Sequence, residues 1–228
     1  MKGYQYKMSP EDLMRKVIEL YQLARIPNFY HPRIRRGRSH SISGKVEDLM
    51  AIFLGFNLPE SFEMYVDQPI RLVEIEKTIY PDITLIKDGE ITNFLDVKTD
   101  LGFNRDGLPV FCDDKQKLMI RVRKGIQARW RDGITKKESY IRVSRKCSYH
   151  ILIISGKNIS QAKLNSVLDD AKVYEPDVTV YVLSGGVHPN EYGSAQEQIL
   201  GKLKINHDAF DNLFGRLQLT NDQKDKTL

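Results

Sequence analysis

The sequence contains no long hydrophobic run. Nothing in its 228 residues approaches the roughly 18 consecutive apolar residues that a membrane-spanning helix requires. Residues 1–8 also lack the apolar segment of a secretory signal peptide. We therefore expect a cytoplasmic protein that has no membrane partner.

Cysteine and histidine are scarce. The two cysteines, Cys112 and Cys147, show no CxxC spacing and are too few for a disulfide framework or a zinc site, so we expect reduced thiols. The five histidines show no metal-ligand spacing, and the sequence has no helicase, ATP-binding or zinc-finger motif. With 41% hydrophobic residues, a chain of this length suits one domain with one core.

Positive charge is concentrated in two segments. The chain has 35 Lys and Arg against 30 Asp and Glu, a net charge of +5. Ten basic residues lie within residues 121–146, against two acidic ones. A shorter basic run consists of Arg33, Arg35, Arg36 and Arg38. Such clusters attract a polyanion because binding releases its condensed counterions, which indicates nucleic acid, although a charged run can also be only a solvated surface.

Local signals predict alternating helices and strands. Ser9 and Pro10 mark the start of a helix that runs to about Arg25, and Ser43 is a candidate cap for a second helix that ends at Gly55. Further along, we predict extended segments at 62–67 and 70–75, a hairpin around 87–89, a basic helix over about 113–131, buried strands at 149–154 and 178–183, a helix at 160–173 and helical segments over 194–219. This order predicts a single-domain α/β fold with a central mixed β-sheet flanked by helices.

The hairpin brings acidic residues together. Two strand-like runs, residues 80–86 and 91–98, are joined by a short Asp-Gly turn. A two-residue turn would place Asp82 and Asp96 on opposite faces of the sheet, because side chains alternate along a strand. A three-residue turn would place Asp82, Asp96 and Lys98 on the same face.

The hydrophobic pattern favours the three-residue turn, formed by residues 87–89. In that register the face opposite the aspartates carries Ile83, Leu85, Ile91, Leu95 and Val97, which suits a surface that faces the core. Two carboxylates on one face repel each other unless one is protonated or a cation lies between them. Paired aspartates suit a hard cation such as Mg²⁺.

These residues resemble the signature of the PD-(D/E)XK nuclease superfamily. The match consists of Pro81-Asp82, thirteen intervening residues and Asp96-Val97-Lys98, and the Asp-Val-Lys-Thr form is similar to that of blunt-cutting type II restriction endonucleases. The resemblance implies a restriction-endonuclease-like fold. Its catalytic core would span 43–184, after an N-terminal helix and basic loop over 1–42 and before a helical region over 185–228.

The resemblance also implies a Mg²⁺-dependent phosphodiesterase that makes site-specific double-strand cuts in DNA. Asp82, Asp96 and the main-chain carbonyl of Val97 would hold one or two Mg²⁺ ions. Lys98 would orient or deprotonate the attacking water, or neutralise charge on the phosphate. In-line attack would leave 5′-phosphate and 3′-hydroxyl ends.

An additional acid is present beside the metal in many members of this superfamily. By resemblance Glu47, on the helix before the hairpin, matches that catalytic and metal-binding position. The alternative is a solvated glutamate favoured by the helix dipole. Glu74 and Glu76, on the preceding extended segment, compete with it.

Double-stranded DNA is the implied partner. We expect phosphate contacts from the two basic segments and base contacts from the loop that follows the catalytic strand. The predicted DNA-binding residues are Arg33, Arg35, Arg36, Arg38, Asn104, Arg105, Arg121, Arg123 and Lys124.

A symmetric double-strand cut needs two active sites, so we expect a homodimer. The apolar residues Phe210, Leu213, Phe214 and Leu217 would lie either at its interface or against the chain's own sheet. The alternatives in function are a repair, recombination or RNA-processing nuclease with the same motif, and a non-catalytic DNA-binding module. The complete acid-acid-lysine set argues against the module.

Overall fold

The computed structural model describes residues 4–26, 33, 38–101 and 107–219. Its α-helices are Pro10–Leu23 (α1), Ser43–Asn57 (α2), Leu108–Val122 (α3), Gln161–Ala171 (α4), Gln196–Lys202 (α5) and His207–Leu219 (α6). Its strands are Phe62–Val66 (β1), Ile70–Leu72 (β2), Lys77–Ile79 (β3), Ile83–Lys87 (β4), Glu90–Asp100 (β5), Gln127–Arg131 (β6), Glu138–Ser155 (β7), Val178–Val182 (β8), Ser184–Gly185 (β9) and Lys204–Ile205 (β10). None of these helices is long and apolar enough to cross a bilayer.

A mixed sheet forms the centre of the fold, as predicted. Among the described residues its strands lie in the order β1-β4-β5-β7-β6-β2-β3, and β8 also pairs with β7. β7 runs parallel to β5 and to β8, whereas the other pairings are antiparallel. β5 lies on one side of β7, and both β6 and β8 lie on the other side. β6 pairs with residues 138–142 of β7, and β8 pairs with residues 149–153. β5 and β7 are therefore the central strands, and β5 carries Asp96 and Lys98.

Helices cover both faces of this sheet. α1, α2 and α6 pack on one face with sheet residues such as Leu95 and Val97. α3 and α4 pack on the other face with residues such as Phe94. Residues 151–154 of β7 alternate between the two cores. This double burial explains the uninterrupted apolar run from which the strand was predicted.

The basic segment predicted as one helix over 113–131 is a helix followed by a strand. α3 ends at Val122, and β6 follows after a short turn. β6 is exposed at Gln127, Arg129 and Arg131 and buried at the two positions between them. This period of two is typical of a strand with one buried face. The prediction was wrong because it followed the run of charge rather than the periodicity.

The apolar residues of α6 belong to the protein core. Phe210, Leu213, Phe214 and Leu217 have 0% exposure and pack with α1 and α2, where Phe53 contacts two of their rings. The chain's own helices therefore occupy the surface that was considered for a dimer interface. The prediction that these four residues lie at a dimer interface was wrong. They pack within the chain's own core instead.

Both cysteines are buried and unpaired. Cys112 lies on α3, and Cys147 lies on β7. Burial raises the pKa of the Cys112 thiol to about 11. The prediction of reduced thiols is confirmed, and neither thiol is a ready nucleophile.

Candidate active site

The hairpin between β4 and β5 closes with a two-residue turn. Asp88 and Gly89 both have positive φ, 51° and 75°, and Lys87 pairs with Glu90. Such a turn matches the twist of the flanking strands and favours an Asp-Gly sequence. The predicted three-residue turn was therefore wrong.

A bulge in β5 restores the predicted arrangement of the aspartates. Ile86 pairs with Ile91, but Leu85 pairs with Asn93, so Thr92 is an extra residue in β5. The extra residue reverses the alternation of faces between the turn and the end of the strand. Ile91 consequently packs in the α3 core, against prediction, whereas the other four apolar residues predicted with it pack on the opposite face.

Asp82 and Asp96 meet at the start of β4. Ile83 pairs with Leu95, so Asp82, which directly precedes β4, comes level with Asp96. The backbone N–H of Val97 donates to Asp82 Oδ2 at 2.6 Å. The side chains of Asp82 and Asp96 are only 20% and 5% exposed. The fold thus brings the two predicted acids together in a mostly buried position.

The electrostatics of Asp82 reflect this confinement. Burial raises the pKa of its carboxyl, and the charge of Asp96 raises it further, which outweighs the lowering by the Val97 N–H and by Lys98. Lys98 Nζ lies 3.5 Å from Asp82 Oδ2, and its side chain is 42% exposed. A carboxylate whose ionised form is disfavoured in this way is stabilised by a nearby cation.

Sequence reasoning missed a second lysine at this site. Lys115 of α3 places its Nζ 3.3 Å from Asp96 Oδ2 and donates a hydrogen bond of 2.7 Å to the hydroxyl of Tyr149. Burial first, and then the charge of Asp96 and a hydrogen bond with it, raises the pKa of the Tyr149 hydroxyl well above its usual value. Asp96, Lys115 and Tyr149 therefore form one connected polar group.

A signal for Lys115 was present in the helix pattern. Lys115 lies four residues from Phe111 and four from Met119, so it interrupts an apolar stripe at helical spacing. Met119 is fully buried and Phe111 packs against the same core. A lysine at such a position must have a buried or partly buried partner. The sequence does not say which partner.

Glu47 lies within electrostatic reach of Asp82. α2 begins at Ser43 with Ile42 in the cap position, so the predicted Ser43 cap was wrong. Glu47 is partly buried, and burial raises the pKa of its carboxyl, as do the charges of Asp82 and Asp67. Its position is compatible with a supporting acid at the site.

The two competing acids have other surroundings. The carboxylate oxygens of Glu74 accept the backbone N–H of Gln127 at 3.1 and 2.8 Å. Glu76 lies in the turn after β2 with a φ of 50°, where its N–H donates to the carbonyl of Val73. These contacts favour Glu47 over both.

The predicted DNA-binding residues fall into three groups. Arg35, Arg36, Asn104 and Arg105 lie outside the described residues. Arg33 and Arg38 are exposed. The third group comprises Arg121, Arg123 and Lys124, which we call the α3 basic set.

Two members of the α3 basic set have partners within the chain. Arg121 donates to the carbonyl of Ile75 at 3.4 Å. Arg123 forms an ion pair with Asp177, whose side chain is only 9% exposed. Lys124 is exposed at the end of the helix. These arginines have structural roles besides any contact with DNA.

A further basic surface lies on β2, β6 and β7. Arg71 pairs with Arg129, which in turn pairs with Tyr140, and cross-strand partners lie on the same face of a sheet. Arg131 lies two residues after Arg129 on β6, and Arg142 lies two residues after Tyr140 on β7. Both therefore project from this face as well. We call Arg71, Arg129, Arg131 and Arg142 the arginine surface. Arg71 and Arg129 are like charges directly opposite each other, which is destabilising, and Glu138, opposite Arg131 on the same face, offsets part of this positive charge.

The arginine surface extends toward the aspartates. The side-chain amide of Gln68 donates to the carbonyl of Arg131 at 3.4 Å. The backbone N–H of Asp67, the adjacent residue, donates to the carbonyl of Asp82 at 2.9 Å. A ligand that covers the arginine surface could therefore also reach the site.

The candidate ligand set consists of oxygen atoms. In the parts of the chain that the structure describes, no three His, Cys, Asp or Glu residues form a ready metal cluster. Mg²⁺ commonly takes only one or two carboxylates from a protein and completes its shell with water and substrate phosphate. Asp82, Asp96 and the carbonyl of Val97 fit such an ion by their chemistry.

A comparison with models of known protein families found no match, and a search of curated proteins also found none. Functional assignment therefore rests on the geometry of the site.

Proposed function

We propose that this chain is a Mg²⁺-dependent type II restriction endonuclease with the restriction-endonuclease-like fold of the PD-(D/E)XK superfamily. The observation that carries the proposal is the shared face of Asp82, Asp96 and Lys98 at a central strand of a mixed sheet. Asp96 is 5% exposed between two core residues. Burying carboxylates at this position is unfavourable for folding. A role in catalysis would explain why they are placed there.

Asp82 and Asp96 would bind the cation, with the Val97 carbonyl and Glu47 as further oxygen donors. When bound, Mg²⁺ supplies a Lewis acid that lowers the pKa of a water and screens the charge of the phosphate. The partly buried position of the acids favours binding, because a cation would stabilise the ionised form of Asp82, which burial and the charge of Asp96 disfavour.

The chain's own residues orient these groups before substrate binds. The Val97 N–H fixes Oδ2 of Asp82, and Lys115 fixes Oδ2 of Asp96. Lys98 Nζ is accessible enough to face a phosphate, where its charge would stabilise the transition state, or to orient the attacking water. In-line hydrolysis consumes one water, breaks the bond from phosphorus to O3′, and leaves 5′-phosphate and 3′-hydroxyl ends.

A cavity beside Lys98 offers room for water. It has a volume of 130 Å³ and is lined by Lys98, Asp100, Leu108 and Phe111, among others. This space is large enough to admit water. Water can therefore remain close to the lysine when DNA covers the site.

Double-stranded DNA and a second copy of the chain are the proposed partners. The arginine surface would contact phosphates, since it joins the site through Gln68 and Asp67. A homodimer would supply the second active site for the complementary strand. Light scattering on the free protein and on its complex with DNA held by Ca²⁺ would measure the assembly, and a dimer is expected at least on DNA.

Digestion of a plasmid of known sequence is the direct test. Purified protein with Mg²⁺ should give discrete fragments whose mapped ends carry 5′-phosphates, and EDTA should abolish cutting. Asp96→Asn and Lys98→Met should bind the plasmid without cutting it. Asp170→Asn, an exposed acid on α4, serves as the matched control and should cut normally.

Other results would assign a different function. Single-strand nicks by a protein that stays monomeric would indicate a repair nuclease. Cleavage of RNA alone would indicate RNA processing. DNA binding without Mg²⁺-dependent cleavage under any condition would indicate a non-catalytic module and would overturn the proposal.

A further inference from the structure

Lys115 is held more firmly at the site than Lys98. Its Nζ lies 4.6 Å from the ring centre of Phe111 and 4.4 Å from that of Tyr149, in addition to its contacts with Asp96 and the Tyr149 hydroxyl. Its side chain is 19% exposed, whereas that of Lys98 is 42% exposed. Aromatic faces attract an ammonium group, most strongly where water is excluded. Lys115 thus places a fixed positive charge beside Asp96.

The charge of Lys115 lies beside an oxygen of Asp96 that a second divalent cation would need as a ligand. In two-metal phosphodiesterases the ions lie about 3.5–4 Å apart and act on the two sides of the phosphate. At that spacing one carboxylate would have to serve both ions, and Asp96, the deeper of the two aspartates, would be the candidate here. Lys115 Nζ already lies 3.3 Å from one oxygen of Asp96. A dication at that oxygen would meet the ammonium at contact distance, where like charges repel strongly.

The formal charges of the site also favour a single divalent cation. Among the three proposed carboxylate ligands and the two lysines that contact the aspartates, Asp82, Asp96 and Glu47 carry three negative charges, and Lys98 and Lys115 offset two of them. One divalent cation together with the scissile phosphate brings the sum to zero. A second dication would leave two positive charges in a mostly buried site, which is unfavourable.

We propose that Lys115 takes the place of a second metal ion, so that the centre binds one divalent cation per chain. The inference rests on the proposed function, since it concerns the same metal site. Lys115 would act through Asp96, by holding the carboxylate and supplying the second positive charge. It is a positioning residue in this role.

Cation stoichiometry is the test, with Mn²⁺ as the probe. Free Mn²⁺ is measured by electron paramagnetic resonance during titration into the full-length wild type and into Asp96→Asn. The difference between them counts the ions that depend on the centre, and we expect one per chain. Lys115→Met, which keeps the apolar stem between the rings without the charge, should raise this number to two.

Lys117→Met is the matched control, because Lys117 is a 68% exposed lysine on the same helix. It should leave the count at one. A second measurement does not depend on the fold of the Lys115 variant: the cleavage rate of the wild type should rise with Mg²⁺ concentration with a Hill coefficient near one.

Two kinds of failure are distinguishable. A wild type that cleaves DNA with Mg²⁺ but binds two Mn²⁺ ions at the centre would overturn this inference and leave the proposed function standing. A folded Lys115→Met that still binds one ion would also overturn it. A wild type that neither binds Mn²⁺ at Asp96 nor cleaves DNA would overturn both.

Discussion

The backbone N–H of Val97 lies 2.6 Å from Oδ2 of Asp82. This hydrogen bond joins the residue before β4 to the middle of β5 and fixes one carboxylate oxygen beside the predicted metal-binding carbonyl of Val97. The bond lowers the pKa of Asp82, but burial and the charge of Asp96 outweigh it. Asp82 is therefore well oriented and electrostatically unfavourable at the same time, a combination that is typical of functional sites.

Asp82→Asn separates orientation from charge. The amide can still accept the Val97 N–H, but it cannot hold a divalent cation as a carboxylate does. We expect the cleavage rate to fall by more than about 100-fold, the lower end of the effect of a group that acts in the chemical step. Because the raised pKa means that ionised Asp82 destabilises the folded state, the melting temperature at pH 7 should stay the same or rise.

Cleavage assays and thermal unfolding of the same samples would check both parts. Asp170→Asn on α4 is the control and should change neither. Near wild-type cleavage by Asp82→Asn would show that Asp82 is not a ligand. A large fall in melting temperature would indicate a structural role instead.

The turn at Asp88 gives a stability prediction that tells the two registers apart. Asp88 is exposed and has a φ of 51°, which aspartate and asparagine tolerate better than alanine. Asp88→Ala should lower the free energy of unfolding by about 1 kcal/mol, whereas Asp88→Asn should leave it nearly unchanged. Urea denaturation measures both. If Asp88→Ala were neutral, Asp88 would have the right-handed conformation of the three-residue turn.

The shared face of Asp82 and Asp96 could be predicted from sequence, although the turn was wrong. The observed two-residue turn shifts the pairing by one position relative to the predicted turn, and the bulge at Thr92 shifts it by one more. Two one-residue shifts restore the alternation of faces. The bulge itself depends on how β4 and β5 pair, and no local pattern around Thr92 indicates it.

Contacts between distant segments account for the rest. Lys115 meets Asp96 across 19 positions in the chain and Tyr149 across 34, so no motif spacing could join them. The strand β6 was not predicted because its arginines would face solvent in a helix as well as in a strand, so they do not distinguish the two. The apolar runs of β7 and β8, in contrast, were predictable because burial on both faces leaves only apolar residues.

His150 provides a test of pH dependence away from the site. It is fully buried, and its Nε2 lies 3.1 Å from the amide nitrogen of Asn93 and 2.9 Å from the hydroxyl of Ser148. The Asn93 amide can only donate, so Nε2 accepts and Nδ1 donates to the Tyr181 hydroxyl at 3.2 Å. Burial, with the charge of Arg216 as a second cause, lowers the pKa of His150 from 6.5 to about 3.

The sign of this effect follows from proton binding. Between the folded and unfolded pKa values the unfolded chain binds a proton that the folded chain does not. The contribution of neutral His150 is therefore fully present above pH 6.5 and is lost as the pH falls toward 3. Between pH 7 and pH 5 it should amount to about 2 kcal/mol.

Urea denaturation of the wild type and of His150→Gln at both pH values would measure it. The other titrating groups contribute equally to both proteins, so the difference isolates the histidine. The wild type should lose about 2 kcal/mol more than the variant between pH 7 and pH 5. Equal losses would mean that His150 is protonated in the folded state or exchanges readily with solvent.

The arginine surface should carry more of the DNA affinity than the α3 basic set, because its side chains project together from one exposed face. Changing Arg129, Arg131 and Arg142 to glutamine should weaken binding to all DNA sequences and reduce the slope of log affinity against log salt by about 0.9 for each lost phosphate contact. The position of cleavage should not change, since such contacts carry no base information.

Neutralising the α3 basic set is the comparison. We expect a smaller change in slope, about one unit from Lys124, since Arg121 and Arg123 already have partners in the chain. Because Arg123→Gln leaves the mostly buried Asp177 without its ion pair, the unfolding of this variant must be measured alongside its binding. Equal slopes for the arginine-surface variant and the wild type would mean that DNA does not contact β6 and β7. A larger effect from the α3 basic set would assign the phosphate contacts to the end of α3 instead.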